Sequence, residues 1–199
     1  MDLEARVGEI LSASLAVQQR VLERQTREIA AIAEAVATTL QAGGTILLCG
    51  NGGSAADAQH LAAEFVVRLH PSFDRRSLPA IALAPDAPLL TAAANDLGFE
   101  RVFERLVEAL GHPGDLLVGL STSGRSENVV RALAAARAAG LRTVGLLGGD
   151  GGRALAHCEL ALLIESDDPG RVQEAHIVAG HAVVECAEAL LVEAGMLRR

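Results

Sequence analysis

The sequence predicts an α/β protein: a five-stranded parallel sheet, doubly wound in three layers and preceded by an N-terminal helical arm. Three observations carry this expectation. Five short apolar runs recur between residues 45 and 164, amphipathic stretches of helical length separate them, and the first 41 residues contain no Pro. Parallel strands read as near-continuous apolar runs because helices cover both faces of their sheet.

Residues 3–41 are rich in Ala, Leu, Glu, Gln and Arg. Leu11, Leu15, Leu22, Ile29, Ile32, Val36 and Leu40 recur at helical spacing and fit one long helix, or two with a break near 17–20. Gly43-Gly44 ends the arm as a helix C-terminal signal. Thr45–Cys49, Ala80–Leu83, Asp115–Leu120, Arg142–Leu147 and Leu160–Ile164 read as the strands. The intervening helices fall at about 54–69, 98–110, 126–139 and 170–195, with shorter pieces near 86–94 and 151–157. A chain of 199 residues supports one sizeable core, so residues 1–199 are expected to form a single domain, with 1–41 as arm and 42–199 as α/β core. The arm's apolar face needs a partner, either the domain itself or another subunit.

Half the residues are apolar, mostly Ala, Leu and Val, with four Phe and no Trp or Tyr. Such a core depends on close approach of small side chains. A formal charge of −8 argues against a nucleic-acid surface, which requires a basic stripe. It leaves room for a small anion, because helix N-termini hold phosphate through backbone N–H groups. Cys49, Cys158 and Cys186 are odd in number and widely spaced, and read as reduced core thiols. No signal peptide follows the charged N-terminus, and no apolar run reaches the ~20 residues that span a bilayer. The expectation is a soluble cytoplasmic protein with neither a membrane nor a nucleic-acid partner.

Two strand-to-helix loops stand out. The first strand runs into Gly50-Asn51-Gly52-Gly53-Ser54, where Ser54 and Asp57 resemble an N-capping box. The strand at 115–120 runs into Ser121-Thr122-Ser123-Gly124-Arg125-Ser126, whose hydroxyls lie where open α/β sheets bind ligands. Hydroxyls plus exposed helix N–H groups suit a phosphate monoester. Ordinary β–α turns with Ser caps would show the same residues. Neither loop is a P-loop or a dinucleotide fingerprint, and two such loops in a small domain favour a phosphosugar.

The Ser-Thr-Ser-Gly-x-Ser and Gly-Asn-Gly-Gly-Ser loops, with this strand pattern, resemble the sugar isomerase (SIS) domain. The stretch from Gly50 to His60 is more narrowly similar to the phosphoheptose isomerase family, and the resemblance extends over nearly the whole chain. It implies that Asn51, Gly52, Gly53, Ser54, Ser121, Thr122, Ser123 and Ser126 surround the phosphate and neighbouring sugar oxygens.

His60 and Glu64 share a helix face, with Arg68 one turn further. A solvated polar stripe reads identically. Gln173 and His181 lie on nearly one face of the last helix, where a packed histidine and a helix-start side chain are the alternative. His176 reads as structural. The family resemblance turns His60, Glu64, Gln173 and His181 into a Zn²⁺ set, chemically reasonable although Gln is an uncommon ligand. It implies an aldose–ketose isomerase converting sedoheptulose 7-phosphate to D-glycero-D-manno-heptose 7-phosphate through an enediolate. Glu64 would be the carbon base and His181 the oxygen-side acid/base, with Gln173 also at the substrate. A zinc-bound carboxylate is a weakened base, so Glu64 cannot fill both roles fully at once. The Asn95-Asp96 turn and Arg68 resemble further substrate contacts, and the family implies a homotetramer.

Two departures from the family stand at Arg125, often Asn, and Gly170, where some members carry Asp; Asp167 and Asp168 lie just upstream. The rivals are a non-catalytic SIS-domain binding protein of the replication-initiator-associating type, and an SIS isomerase or etherase for another sugar phosphate. The binding protein lacks the helix Glu and the final His that this chain keeps as Glu64 and His181. Residues 1–41 show no basic recognition helix, which argues against a transcriptional regulator.

Overall fold

Successive residues of a strand point to opposite faces of its sheet, and the apolar runs use this to build two cores. A computed structural model describes residues 1–198. The strands are β1 (Ile46–Gly50), β2 (Ala80–Ala82), β3 (Leu116–Ser121), β4 (Arg142–Gly148) and β5 (Leu160–Ile164). All pair in parallel, in the order β2-β1-β3-β4-β5. Ile46, Leu48, Val118, Leu146 and Leu162 enter one core, and Leu47, Leu117 and Leu147 enter the other.

Helices α1 (Leu3–Arg24), α2 (Thr26–Gln41), α3 (Gly53–Val66) and α7 (Pro169–Glu193) cover the first face. The second is covered by α5 (Val102–Leu110) and α6 (Glu127–Ala138), with α4 (Ala87–Asp96) beside them. This is the three-layer doubly wound fold the sequence predicts. Small residues let helices within one layer approach closely: a Cβ on Gly180 of α7 would lie 2.7 Å from the Leu61 side chain of α3.

Several boundaries differ from expectation. The arm breaks at Gln25, not at 17–20. No Pro or Gly marks the break; α2 is held against α7, while α1 keeps only Val17 and Val21 buried. Leu11, Leu15 and Leu22 therefore stay exposed. The piece expected at 151–157 is helical only as a 3₁₀ turn over Leu155–His157, because Gly149, Gly151 and Gly152 hold positive φ values. The helix expected at 98–110 begins as a 3₁₀ turn, Phe99–Arg101, before α5. Helix α3 stops at Val66, where β-branched Val66-Val67 disfavours a further turn. Arg68 consequently lies off the helix and pairs with Asp74 at 3.6 Å instead of extending the His60–Glu64 face.

Among the described residues, α7 alone is long and apolar enough to cross a bilayer, although no uninterrupted apolar run in it reaches that length. Half of that window is buried in the first core, so the helix serves as a core element. Cys49 is buried, but Cys158 is half-buried and Cys186 exposed, so the three are not all core thiols. Burial pushes the Cys49 thiol up to about 12.

Candidate active site

The strand order reverses direction at β1, with β2 on one side and β3 on the other. The loops leaving β1 and β3 diverge there and open a crevice at the carboxyl ends of the strands. Both predicted loops lie at this point.

In the first loop, Gly50 packs so closely on Ser54 that a Cβ would lie 2.8 Å from the Ser54 backbone. Gly52 holds φ +54 and is the N-cap of α3. The expected capping box does not form: Ser54 sits inside the first turn, and no side chain caps the helix. In the second loop Ser126 is the N-cap of α6, again without a side-chain cap bond. Its hydroxyl and that of Ser121 lie 3.2 Å apart, and Ser123 Oγ accepts from the Arg125 amide at 3.2 Å.

Helices α1, α4 and α7, by contrast, are capped by Asp2, Asp86 and Asp168. At the two helix N-termini facing the crevice the Gly53, Ser54, Glu127 and Asn128 N–H groups have no side-chain acceptor, as an anion site requires, while the Val129 amide donates to Asn128 Oδ1 at 3.0 Å. Next to them Asn51, Gly52, Leu90, Phe99 and Phe103 line a hollow of about 240 Å³.

The two loops are joined by a contact that sequence inspection missed. Asn51 and Asn128 exchange a reciprocal pair of amide hydrogen bonds, each 2.8 Å. Asn128 is buried in the first turn of α6. Nothing in local sequence pairs two asparagines 77 positions apart.

Deeper along α3, His60 Nε2 lies 2.8 Å from His181 Nε2 and 3.4 Å from a Glu64 carboxylate oxygen. Ligand atoms from the three residues all fall within 4.8 Å of one another. Gly180 makes this meeting geometrically feasible, since Leu61 occupies the space a side chain there would need. Two Nε2 atoms in contact cannot both carry protons, so at least one lone pair faces the other ring. A tetrahedral zinc with bonds of ~2.1 Å separates its ligand atoms by about 3.4 Å. The His60–Glu64 spacing matches this, and the histidine pair must open slightly. Two imidazoles and a carboxylate, half-exposed on one side, therefore fit a divalent cation.

Gln173 joins the site by a different route. Its amide packs over Gly53 and donates to Asp57 Oδ1 at 3.4 Å. Burial raises the Asp57 carboxyl above its usual range, with Gln173 and His60 opposing. His176 is completely buried with neither ring nitrogen hydrogen-bonded, and burial pushes it down to about 4. It faces the core, as expected of a structural residue.

The remaining candidates lie elsewhere in the chain. Asn95 donates to Asp96 at 2.7 Å on the exposed end of α4, and Asp96 lines a separate hollow with Leu97 and Arg105. Arg125 is engaged by both carboxylate oxygens of Asp150, at 2.9 and 2.8 Å. Asp168 is the cap of α7, its Oδ1 accepting from the Gly170 amide at 2.8 Å.

Residues 11–148 match the SIS domain family. Phosphoheptose isomerase of Chlorobaculum parvum is 52% identical over 189 residues, covering 94% of this chain and 90% of that protein. The enzyme of the same name from a Roseiflexus species is 52% identical over 183 residues, covering 92% of each. The solved phosphoheptose isomerase from Neisseria gonorrhoeae superposes with a TM-score of 0.87 at 39% identity, covering 94% of this chain and 99% of that one. The chain therefore belongs to the SIS-domain family, among the phosphoheptose isomerases, as a sugar-phosphate isomerase.

Proposed function

We propose that this enzyme interconverts sedoheptulose 7-phosphate and D-glycero-D-manno-heptose 7-phosphate, with Zn²⁺ held by His60, Glu64, Gln173 and His181. The observation carrying the reading is the placement of the His60–Glu64–His181 cluster on and beside α3, the helix whose own uncapped N-terminus opens into the crevice. Gly53 and His60 are seven residues apart, about 10 Å along a helix axis. That is the scale of an open-chain sugar whose phosphate and carbonyl occupy opposite ends.

The first-turn N–H groups of α3 and α6, with Ser54, Ser121, Thr122, Ser123 and Ser126, hold the phosphate. Asn51 is fixed by Asn128 and offers its remaining amide proton to a sugar oxygen. Glu64 removes a proton from C1 of the ketose, leaving an enediolate, and returns it to C2. His181 takes the O1 proton and delivers one to O2, so that an aldehyde forms at C1. Bound zinc supplies Lewis-acid polarisation of the carbonyl and hydroxyl oxygens. Glu64 would help to hold the ion, and its carboxylate would act as base when free of it.

Incubating zinc-loaded protein with the ketose phosphate in deuterated water should yield aldose carrying deuterium at C2, read by proton NMR. Absence of conversion would overturn the enzyme reading in favour of a binding module, and conversion of a pentose phosphate alone would reassign the substrate.

A sugar phosphate substrate is an intracellular metabolite, which assigns the protein to the cytoplasm. The uncovered apolar stripe on α1, including Leu3, Val7, Leu11 and Leu15, supports assembly into a homotetramer. Light scattering should give about four times the single-chain mass of 20.6 kDa. A mass of one chain would contradict it.

A further inference from the structure

Between α3 and β2 the chain sends one charged side chain into the interior. Arg75 has a side-chain exposure of 0%, and its partner Glu188 on α7 has 4%. The guanidinium meets four acceptors. Nε donates to Glu188 Oε1 at 2.5 Å, and Nη2 to the Glu64 carbonyl at 2.8 Å. Nη1 donates to the carbonyls of Phe65 at 2.9 Å and Arg76 at 3.0 Å.

The carbonyls of Glu64 and Phe65 lie in the last turn of α3, where no following helical turn supplies N–H partners; that of Phe65 also accepts from the Leu78 amide at 3.1 Å. A cation at a helix C-terminus also opposes the negative end of the macrodipole. Arg75 thus completes the end of the helix that carries His60 and Glu64. Through Glu188 it ties that end to α7, two turns beyond His181.

Helices α3 and α7 meet at Gln173–Asp57, at Leu61–Gly180 and at His60–His181, and this clamp is the contact that lies beyond Glu64. Those three act at or before residue 61 of α3, whereas the clamp holds the last turn, through the Glu64 and Phe65 carbonyls, against α7. We infer that Arg75, with Glu188, is a positioning residue that sets the Glu64 carboxylate against His60 and His181. The inference rests on the proposed function for its catalytic consequence, but its geometric content does not.

A purely stabilising pair is the competing account, and buried ion pairs are weak sources of stability. The test uses Arg75→Lys, which keeps the charge but cannot reach four acceptors, and Glu188→Gln, which keeps size and shape. Nitrogen-15 NMR of the imidazoles in metal-free protein reads the His60–His181 contact without substrate. The resonances of both rings should move in each folded variant, and unchanged resonances would overturn the proposal. With zinc-loaded enzyme, kcat should fall about 10–100-fold with KM nearly unchanged, since misplacement by ~1 Å costs on the order of 10²-fold and the phosphate loops are untouched. Cobalt affinity should weaken about tenfold. Folded variants with wild-type kcat and cobalt affinity would equally overturn it. A wild type inactive on the heptose phosphate would refute the proposed substrate, while the imidazole spectra would still decide the clamp.

Discussion

Glu64→Gln should leave a folded protein with kcat lowered by about 10³-fold, the middle of the range for losing a general base. The substitution preserves volume and hydrogen-bonding shape, and the Glu64 side chain is only 17% exposed, so packing changes little. An amide cannot take a carbon-bound proton at neutral pH. It is also a poorer, uncharged donor to a cation, so zinc affinity should fall as well. Measuring turnover at saturating zinc separates these losses: restored activity there would make Glu64 a ligand only. Circular dichroism melting should match the parent, and exchange of solvent deuterium into substrate should stop. Continued exchange would show that another residue removes the proton.

Gly148→Ala should damage the site through the backbone. Gly148 ends β4, pairs with Ile164 and lies directly beneath the Thr122 carbonyl, in the space a Cβ would occupy. Val172 Cγ1 closes the other side at 3.0 Å. A side chain in the way can rotate, but a carbonyl within a tight loop moves only if the loop moves. The expected cost is about 3 kcal/mol, at the upper end for overpacking. For a chain of this length that lowers Tm by about 6–12 °C. Because Thr122 belongs to the proposed phosphate loop, KM for the heptose phosphate should rise more than kcat falls. Thermal melting and steady-state kinetics check both, and an unchanged Tm would show that the loop yields freely.

Legibility differed by feature, for physical reasons. The strands were readable because burial on both faces demands apolar runs, and each observed strand lies within about one residue of its expected ends. The loops at 50–54 and 121–126 were readable because tight turns need glycine and anion sites favour hydroxyls. His60 and Glu64 were placed on one face by helical period alone. The break at Gln25 was not readable, since no Pro or Gly causes it; contact of α2 with α7 does. The end of α3 was not readable because helical period continues on paper past Val66, where the chain turns away and leaves Arg68 off the helix.

Family resemblance added His181 and Gln173, 121 and 116 positions from the residues they meet, His60 and Asp57. Local spacing cannot encode such meetings. They depend on which two helices share a face of the sheet, and on a glycine at 180 that lets them approach. The Asn51–Asn128 amide pair and the Arg75–Glu188 clamp are of the same kind. Each polar group looks like an ordinary surface residue until the fold removes its water and leaves one partner to bond.

By itself the sequence determined the α/β class, the five strands, the two loops and the helix face bearing His60 and Glu64. These follow from periodicity, glycine conformational freedom and the burial of apolar runs, all of which are local. Only the tertiary structure decided where the arm bends, that the helix N-termini at the crevice lack caps, and how the two helices align their histidines. Those outcomes depend on packing between segments distant in sequence, where a carbonyl, a glycine or a buried guanidinium acts on what stands opposite it.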